Sequence, residues 1–148
     1  MTEDEYMALT ISLARKGMGT ASPNPMVGAV LVKGKQIIGQ GYHKRAGLPH
    51  AEVEALKSAT DDPAGSTLFV NLEPCVHTGR TPPCVDAVIR AGIKRVVVAM
   101  ADPNPLVQGK GIAALEAAGI TVKTGVREKE ARELNEAFIV YMEKGRPF

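Results

Sequence analysis

The chain has 148 residues, with 18 Lys and Arg against 16 Asp and Glu and a formal net charge of +2. That length suits one domain whose core needs no disulfide staples, and no basic, aromatic-rich stretch argues for a nucleic-acid partner. No apolar run is long enough to span a bilayer, and the acidic Met1-Thr2-Glu3-Asp4-Glu5 start lacks a signal-peptide core, so a cytoplasmic location is expected.

Thr2 and Glu5 form a capping-box pattern for a first helix, about Thr2 to Lys16, ended by Gly17 and Gly19. Val27 to Val32 and Gln36 to Tyr42 are β-rich runs around Lys33-Gly34-Lys35, a hairpin pattern. Pro49 opens a second helix, about His50 to Ser58, on which Ala51, Ala55 and Ala59 make a small-residue face for close packing. Thr67 to Leu72 reads as a buried strand. Pro82-Pro83 precede a helix from Cys84 to Ala91, stopped by Gly92. Arg95 to Met100 is the most apolar strand. A helix over Lys110 to Ala118, a short strand over Ile120 to Thr124 and a last helix over Glu128 to Glu143 complete the chain. On that last helix Ala131, Leu134, Phe138 and Tyr141 recur at helical spacing and are expected to face the core. Strands and helices alternate from Thr67 onward, which favours parallel strands with helices on both faces. The amino-terminal hairpin adds an antiparallel strand.

The residues with metal chemistry are His50-Ala51-Glu52, Pro74-Cys75 and Cys84. In a reducing compartment a cysteine pair more often binds metal or does chemistry than crosslinks. His50, Cys75 and Cys84 are three ligands, which suits zinc with an open fourth position. In a regular helix His50 and Glu52 would point about 200° apart. They serve one site only at an open helix end, where Pro49 places them. Cys84 also sits at a helix start, where free N–H groups and the helix dipole favour a thiolate. Glu52 then suits a proton shuttle between the attacking water, the substrate and a leaving amine, in hydrolytic loss of ammonia from an amidine-type ring carbon. The competing readings are two core cysteines or a structural zinc clip with His77 as fourth ligand. A redox dithiol lacks its Cys-x-x-Cys spacing, since eight residues separate Cys75 and Cys84.

Pro23-Asn24-Pro25 and Pro103-Asn104-Pro105 each hold an Asn in a stiff extended loop. If the strands before Cys75 and Asp102 are parallel neighbours, Cys75, Asp102 and Asn104 share the carboxyl edge where α/β sheets bind ligands. Plain turn chemistry explains the same residues equally well. Arg80, between the two cysteines, is either a phosphate partner or a solvated loop residue. His43 lines a pocket or is exposed. Gly109-Lys110-Gly111 opens a helix and offers a cradle for an anion.

Taken together, Pro23-Asn24-Pro25-Met26-Val27-Gly28-Ala29-Val30, Gly41-Tyr42-His43, Pro49-His50-Ala51-Glu52-Val53, Leu72-Glu73-Pro74-Cys75, His77-Thr78-Gly79-Arg80-Thr81-Pro82-Pro83-Cys84 and Asp102-Pro103-Asn104-Pro105 resemble the deaminase domain of the bifunctional riboflavin-biosynthesis deaminase/reductase. The zinc motif is shared by cytidine-deaminase-like enzymes generally, whereas the Gly79-Arg80-Thr81-Pro82-Pro83-Cys84 and Asp102-Pro103-Asn104-Pro105 loops are more particular to the riboflavin branch. The resemblance implies a three-layer α/β/α sandwich of the cytidine-deaminase type, with a mixed sheet of about five strands. It implies one Zn²⁺ held by His50, Cys75 and Cys84, with Glu52 as proton shuttle. It implies the substrate 2,5-diamino-6-ribosylamino-4(3H)-pyrimidinone 5′-phosphate, contacted by Asn24, His43, Arg80, Asp102 and Asn104. The family commonly continues into an NADPH-dependent reductase domain. Residues 1–145 are therefore expected to be the deaminase domain and 146–148 the start of a linker or further domain, with any reductase covalent or separate. No dinucleotide fingerprint is present, so no NADP is assigned to this chain, and a homo-oligomer is expected. A nucleic-acid base deaminase on the same scaffold and a non-catalytic zinc-stabilised module are the alternatives.

Overall fold

The first turn of the chain carries out what its sequence encodes. Thr2 Oγ1 accepts from the Glu5 N–H at 3.2 Å, and Glu5 Oε1 accepts from the Thr2 N–H at 3.0 Å, closing a capping box on helix α1, Glu3–Ala14. The computed structural model describes residues 1–21, 23–76 and 83–144, the side chains of 141, 142 and 144 excepted. After α1 a short 3-10 turn, Arg15–Gly17, replaces the expected last helical turn.

The hairpin β1, Gly28–Lys33, and β2, Gln36–Tyr42, leads to helix α2, Ala51–Lys57. Strands β3, Thr67–Leu72, β4, Arg95–Met100, and β5, Thr121–Thr124, alternate with helices α3, Cys84–Arg90, and α4, Lys110–Ala117. The sheet order is β2-β1-β3-β4-β5. β1 is antiparallel to β2 and β3, whereas β3, β4 and β5 run parallel, so the sheet is mixed as expected.

Strand alternation divides the core in two. Ala29, Leu31, Leu68, Val70, Val96 and Val98 face one side with Ala51 and Ala55 of α2, Val85 and Val88 of α3 and Leu115 of α4. Val30, Phe69, Val97 and Ala99 face the other with Met7 and Ile11 of α1 and Ala131 and Ile139 of the carboxyl-terminal helices. The result is an α/β/α sandwich in which both faces of the central strands are covered, which is why β4 reads as a continuous apolar run.

The last helix, expected as one, is two: α5, Glu128–Leu134, and α6, Glu136–Lys144. The break is at Asn135, whose backbone leaves helical geometry at φ −113° and ψ 28°. Its buried side chain turns inward to bind the backbone of Met26. A side-chain amide that finds backbone partners elsewhere competes with helix continuation. After this break Ile139 takes the buried position and Phe138 lines a cleft instead of the core. The side chain of Tyr141 lies outside the described set.

Candidate active site

The site is built from α2 outward. β2 carries glycine where α2 crosses it: a Cβ at Gly39 would lie 2.4 Å from Ala55 O, and one at Gly41 would lie 2.5 Å from Glu54 Cβ. Ala51 and Ala55, both fully buried, complete this seam from the helix side. The helix is thereby seated hard against the sheet, with its amino end at the edge where β3 and β4 finish. His50 is the N-cap residue, in extended geometry, and Glu52 is the second residue of the helix. The 200° conflict of a regular helix is avoided because His50 stands outside it.

Cys75 follows β3 by way of Glu73-Pro74. Cys84 is the first residue of α3, behind the N-cap Pro83. The Val85 N–H donates to Cys75 O at 3.2 Å, and the Cys84 N–H donates to Cys75 Sγ at 3.3 Å. The amide at the α3 start thus serves the sulfur of Cys75, not that of Cys84 as the sequence suggested. His50 Nδ1 lies 3.0 Å from Cys84 Sγ and 3.8 Å from Cys75 Sγ. One ligand atom from each of His50, Cys75 and Cys84 falls within 4.8 Å of the others.

Two sulfurs and an imidazole nitrogen converging on one point are a soft, zinc-type donor set. The three donors also shift one another's titration. The hydrogen bond from Cys84 holds the Cys75 thiol down to about 4, with help from His50. The same bond, with burial, pushes the Cys84 thiol up. His50 is raised, chiefly by its hydrogen bond with Cys75. Burial pushes the Glu52 carboxyl up to about 7, and the neighbouring Cys75 charge adds to the effect. Among the described residues no fourth His, Cys, Asp or Glu joins the three. His77, the candidate fourth ligand of a closed clip, lies outside the described residues.

His50 and Cys75 line a cleft of about 450 Å³ that also exposes Asn24, His43, Glu52, Asp102 and Asn104, with Cys84 buried beside them. His43 is buried, with Nδ1 3.2 Å from Pro49 O and Nε2 3.0 Å from Asn24 Nδ2. A carbonyl only accepts, so Nδ1 carries the proton and Nε2 accepts from the Asn24 amide. Burial lowers the His43 pKa and keeps this neutral form. The Asn24 loop is pinned from below. Met26 O accepts from Asn71 Nδ2 at 3.0 Å and Asn135 Nδ2 at 2.8 Å, while Asn135 Oδ1 accepts from the Met26 N–H at 2.8 Å. Asn71 Oδ1 also accepts from the Gly28 N–H at 2.8 Å.

Across the cleft, Asp102 and Asn104 satisfy both readings of their loop. Asp102 Oδ1 accepts from the Asn104 N–H at 2.9 Å, and Asn104 Oδ1 accepts from the Leu106 N–H at 3.0 Å, yet both residues line the cleft.

A family model describing the cytidine and deoxycytidylate deaminase zinc-binding region matches residues 1–100. The chain belongs to this deaminase family. It is similar to the riboflavin biosynthesis protein RibD of Aquifex aeolicus, 59% identical over 146 residues, which are 99% of this chain and 41% of that protein. It is 47% identical over 147 residues to the diaminohydroxyphosphoribosylamino-pyrimidine deaminase of Buchnera aphidicola subsp. Schizaphis graminum, covering 99% of this chain and 100% of that one. A solved structure of Acinetobacter baumannii RibD matches with a TM-score of 0.95 at 50% identity, over 98% of this chain and 41% of that chain. The chain spans about two fifths of the length of the RibD relatives it matches.

For this family member, the structure brings His50, Glu52, Cys75, Cys84, Asn24, His43, Asp102 and Asn104 into one place. Arg80 lies outside the described residues. No helix among the described residues is long and apolar enough to cross a membrane. Sequence reasoning passed over Asn71 and Asn135, gave Glu73 no role beyond its place in the Pro-Cys motif, and placed Phe138 in the core, whereas it lines the cleft. Asn71 had a signal, a polar residue inside the apolar run Thr67 to Leu72. Asn135 had a fainter one, a poor helix former in a helical pattern.

Proposed function

We propose that this chain deaminates 2,5-diamino-6-ribosylamino-4(3H)-pyrimidinone 5′-phosphate at ring C2, releasing ammonia in riboflavin biosynthesis. The observation that carries the reading is the convergence of His50, Cys75 and Cys84 beside the buried Glu52 at the mouth of a cleft. Its substrate comes from the named activity of the full-length Buchnera relative.

The donor set fits zinc, with His50, Cys75 and Cys84 as its protein ligands. When bound, zinc supplies Lewis-acid activation for attack of water on the ring carbon. Glu52 takes one proton from the attacking water and delivers it to the ring, then takes the second from the added hydroxyl and delivers it to the departing amine as the C–N bond breaks. Its rigid place in the first turn of α2 spares it a search for geometry. Asn24 presents its amide to the ring side of the cleft, oriented by neutral His43. Asp102 and Asn104 form the opposite wall and hold the polar substituents. Arg80 is assigned to the 5′-phosphate on its chemistry, because a guanidinium binds phosphate bidentately.

The test is ammonia release from the diaminopyrimidine nucleotide, run beside cytidine and a short RNA, for the wild type and Glu52→Ala, with metal analysis of both. The expected result is turnover of the nucleotide alone, lost on chelation, with Glu52→Ala retaining zinc but losing activity. An active Glu52→Ala, or release from RNA or cytidine without the nucleotide, overturns it.

A further inference from the structure

Glu73 is a buried carboxylate that the chemistry above does not use. It stands at the end of β3, one residue before Pro74-Cys75, and its own N–H donates to Met100 O at the end of β4. Its side chain reaches the neighbouring loop and helix. Oε1 accepts from the Asp102 N–H at 2.9 Å and the Gly109 N–H at 3.0 Å, and Oε2 accepts from the Ile112 N–H at 3.0 Å.

Two of these three amides belong to the start of α4. The residue in the N-cap position there is Gly109, at φ 83°, and it has no side chain to cap with. Glu73 fills that role from 36 residues away, with its negative charge against the positive end of the helix dipole. The Gly109-Lys110-Gly111 cradle thus already holds an anion, an internal one. Gly111 makes the approach possible, because a Cβ there would lie 2.1 Å from Pro74 O and 3.1 Å from Glu73 Oε2.

We propose that Glu73 is the positioning residue that fixes the Asp102–Asn104 wall of the cleft relative to the Cys75 side of the metal centre. One carboxylate ties the loop before Cys75, the backbone of Asp102 and the head of α4 into one unit. The inference rests on the deaminase reading above, in which the wall at Asp102 and Asn104 binds substrate. It separates binding from chemistry: loosening this junction leaves His50, Cys75, Cys84 and Glu52 on their own supports and lets the opposite wall drift.

Glu73→Gln tests it at constant size. Both carboxylate oxygens accept N–H groups, so an amide in either orientation sets its NH₂ against a backbone donor. The expected result is zinc content equal to wild type, KM for the nucleotide raised roughly tenfold and kcat within about threefold, the pattern of lost binding with intact chemistry. Amide exchange at Asp102, Gly109 and Ile112 should quicken by about tenfold or more as their acceptor is lost. Combined with Asn104→Ala, the KM effects should be less than additive, because both act through one wall. A folded Glu73→Gln with wild-type KM, or with additive effects, overturns the proposal. If the wild type does not turn over the nucleotide, the substrate assignment fails, and unchanged exchange at those three amides overturns the positioning role separately. Where Glu73→Gln does not fold, Glu73→Asp, one methylene short, should show the same KM-selective loss in milder form. Wild-type KM and exchange in that variant overturn the proposal too.

Discussion

Replacing Asn135 with alanine removes the acceptor of the Met26 N–H and one of the two donors to Met26 O. The carbonyl keeps Asn71 Nδ2 at 3.0 Å, so the loss falls mainly on the N–H. A lost neutral hydrogen bond costs about 1 kcal/mol, and an orphaned donor adds about 1–3 kcal/mol if it stays dry. Met26 is only partly buried, so water recovers part of this. The balance is about 2 kcal/mol. For a domain of this size that lowers Tm by roughly 4–8 °C in a thermal melt. Asn135→Asp sharpens the test. It keeps the acceptor for the Met26 N–H but turns the donor into an oxygen facing Met26 O, so it should be at least as destabilising as alanine at neutral pH. Both variants should also raise KM several-fold, because the Asn24 loop rests on this clamp. Melts within about 1 °C of wild type for both, with KM unchanged, would show that the α5–α6 break has some cause other than this clamp.

Further outcomes follow from other parts of the molecule. Cys84→Ser should lose zinc in a metal assay and lose turnover with it, whereas Glu52→Gln should keep the metal and lose roughly 10²–10⁴-fold in kcat. Arg80→Ala should raise KM for the phosphorylated nucleotide and leave KM for its dephosphorylated form unchanged. Gly41→Ala forces a Cβ to within 2.5 Å of Glu54 Cβ and should cost about 1–3 kcal/mol in denaturant unfolding, with weakened metal retention as α2 shifts. Glu3 pairs with Lys123 at 2.7 Å and with Arg95, and the Lys123 hydrogen bond leads in lowering its pKa below the usual 4.5. A depressed carboxyl stabilises the fold above its unfolded pKa and stops doing so as pH falls through the folded one. Glu3→Gln should therefore cost at most about 1 kcal/mol near neutrality, given solvent screening. The gap to wild type should close in acid, as pH falls through the lowered Glu3 pKa.

The fold and the metal cluster were legible for a shared reason: their signals are local. Alternating apolar residues, the Thr2–Glu5 box, Pro49 before α2 and Pro83 before α3 each act within a few residues, and the strands came out close to their expected bounds. His50 and Glu52 were separable by helix geometry alone. What stayed hidden acts over long sequence distance through side chains that resemble turn or linker chemistry. Glu73 looked like part of a Pro-Cys loop, yet its partners lie 29 to 39 residues away. Asn135 looked like one residue of a continuous helix, and its partner lies 109 residues back. Phe138 fitted the apolar stripe until that break redirected it. The Gly109-Lys110-Gly111 reading found the right property, an anion-accepting helix head, and missed that the protein fills it itself.

The seam of Gly39 and Gly41 against Ala51 and Ala55 also bears on how this scaffold can change. A helix seated on glycine tolerates no larger side chain on either side, so α2 and the groups it carries are nearly frozen against mutation. The cleft walls at Asn24, Asp102 and Phe138 sit on loops and on α6, and the close glycine approach near them, Gly111 against Pro74 and Glu73, seats α4 and not the wall residues themselves. Variation in what the enzyme accepts is therefore expected to accumulate in those walls, while the hydrolytic machinery stays in place. A library built for new substrates gains most by randomising the walls and leaving β2 and α2 untouched.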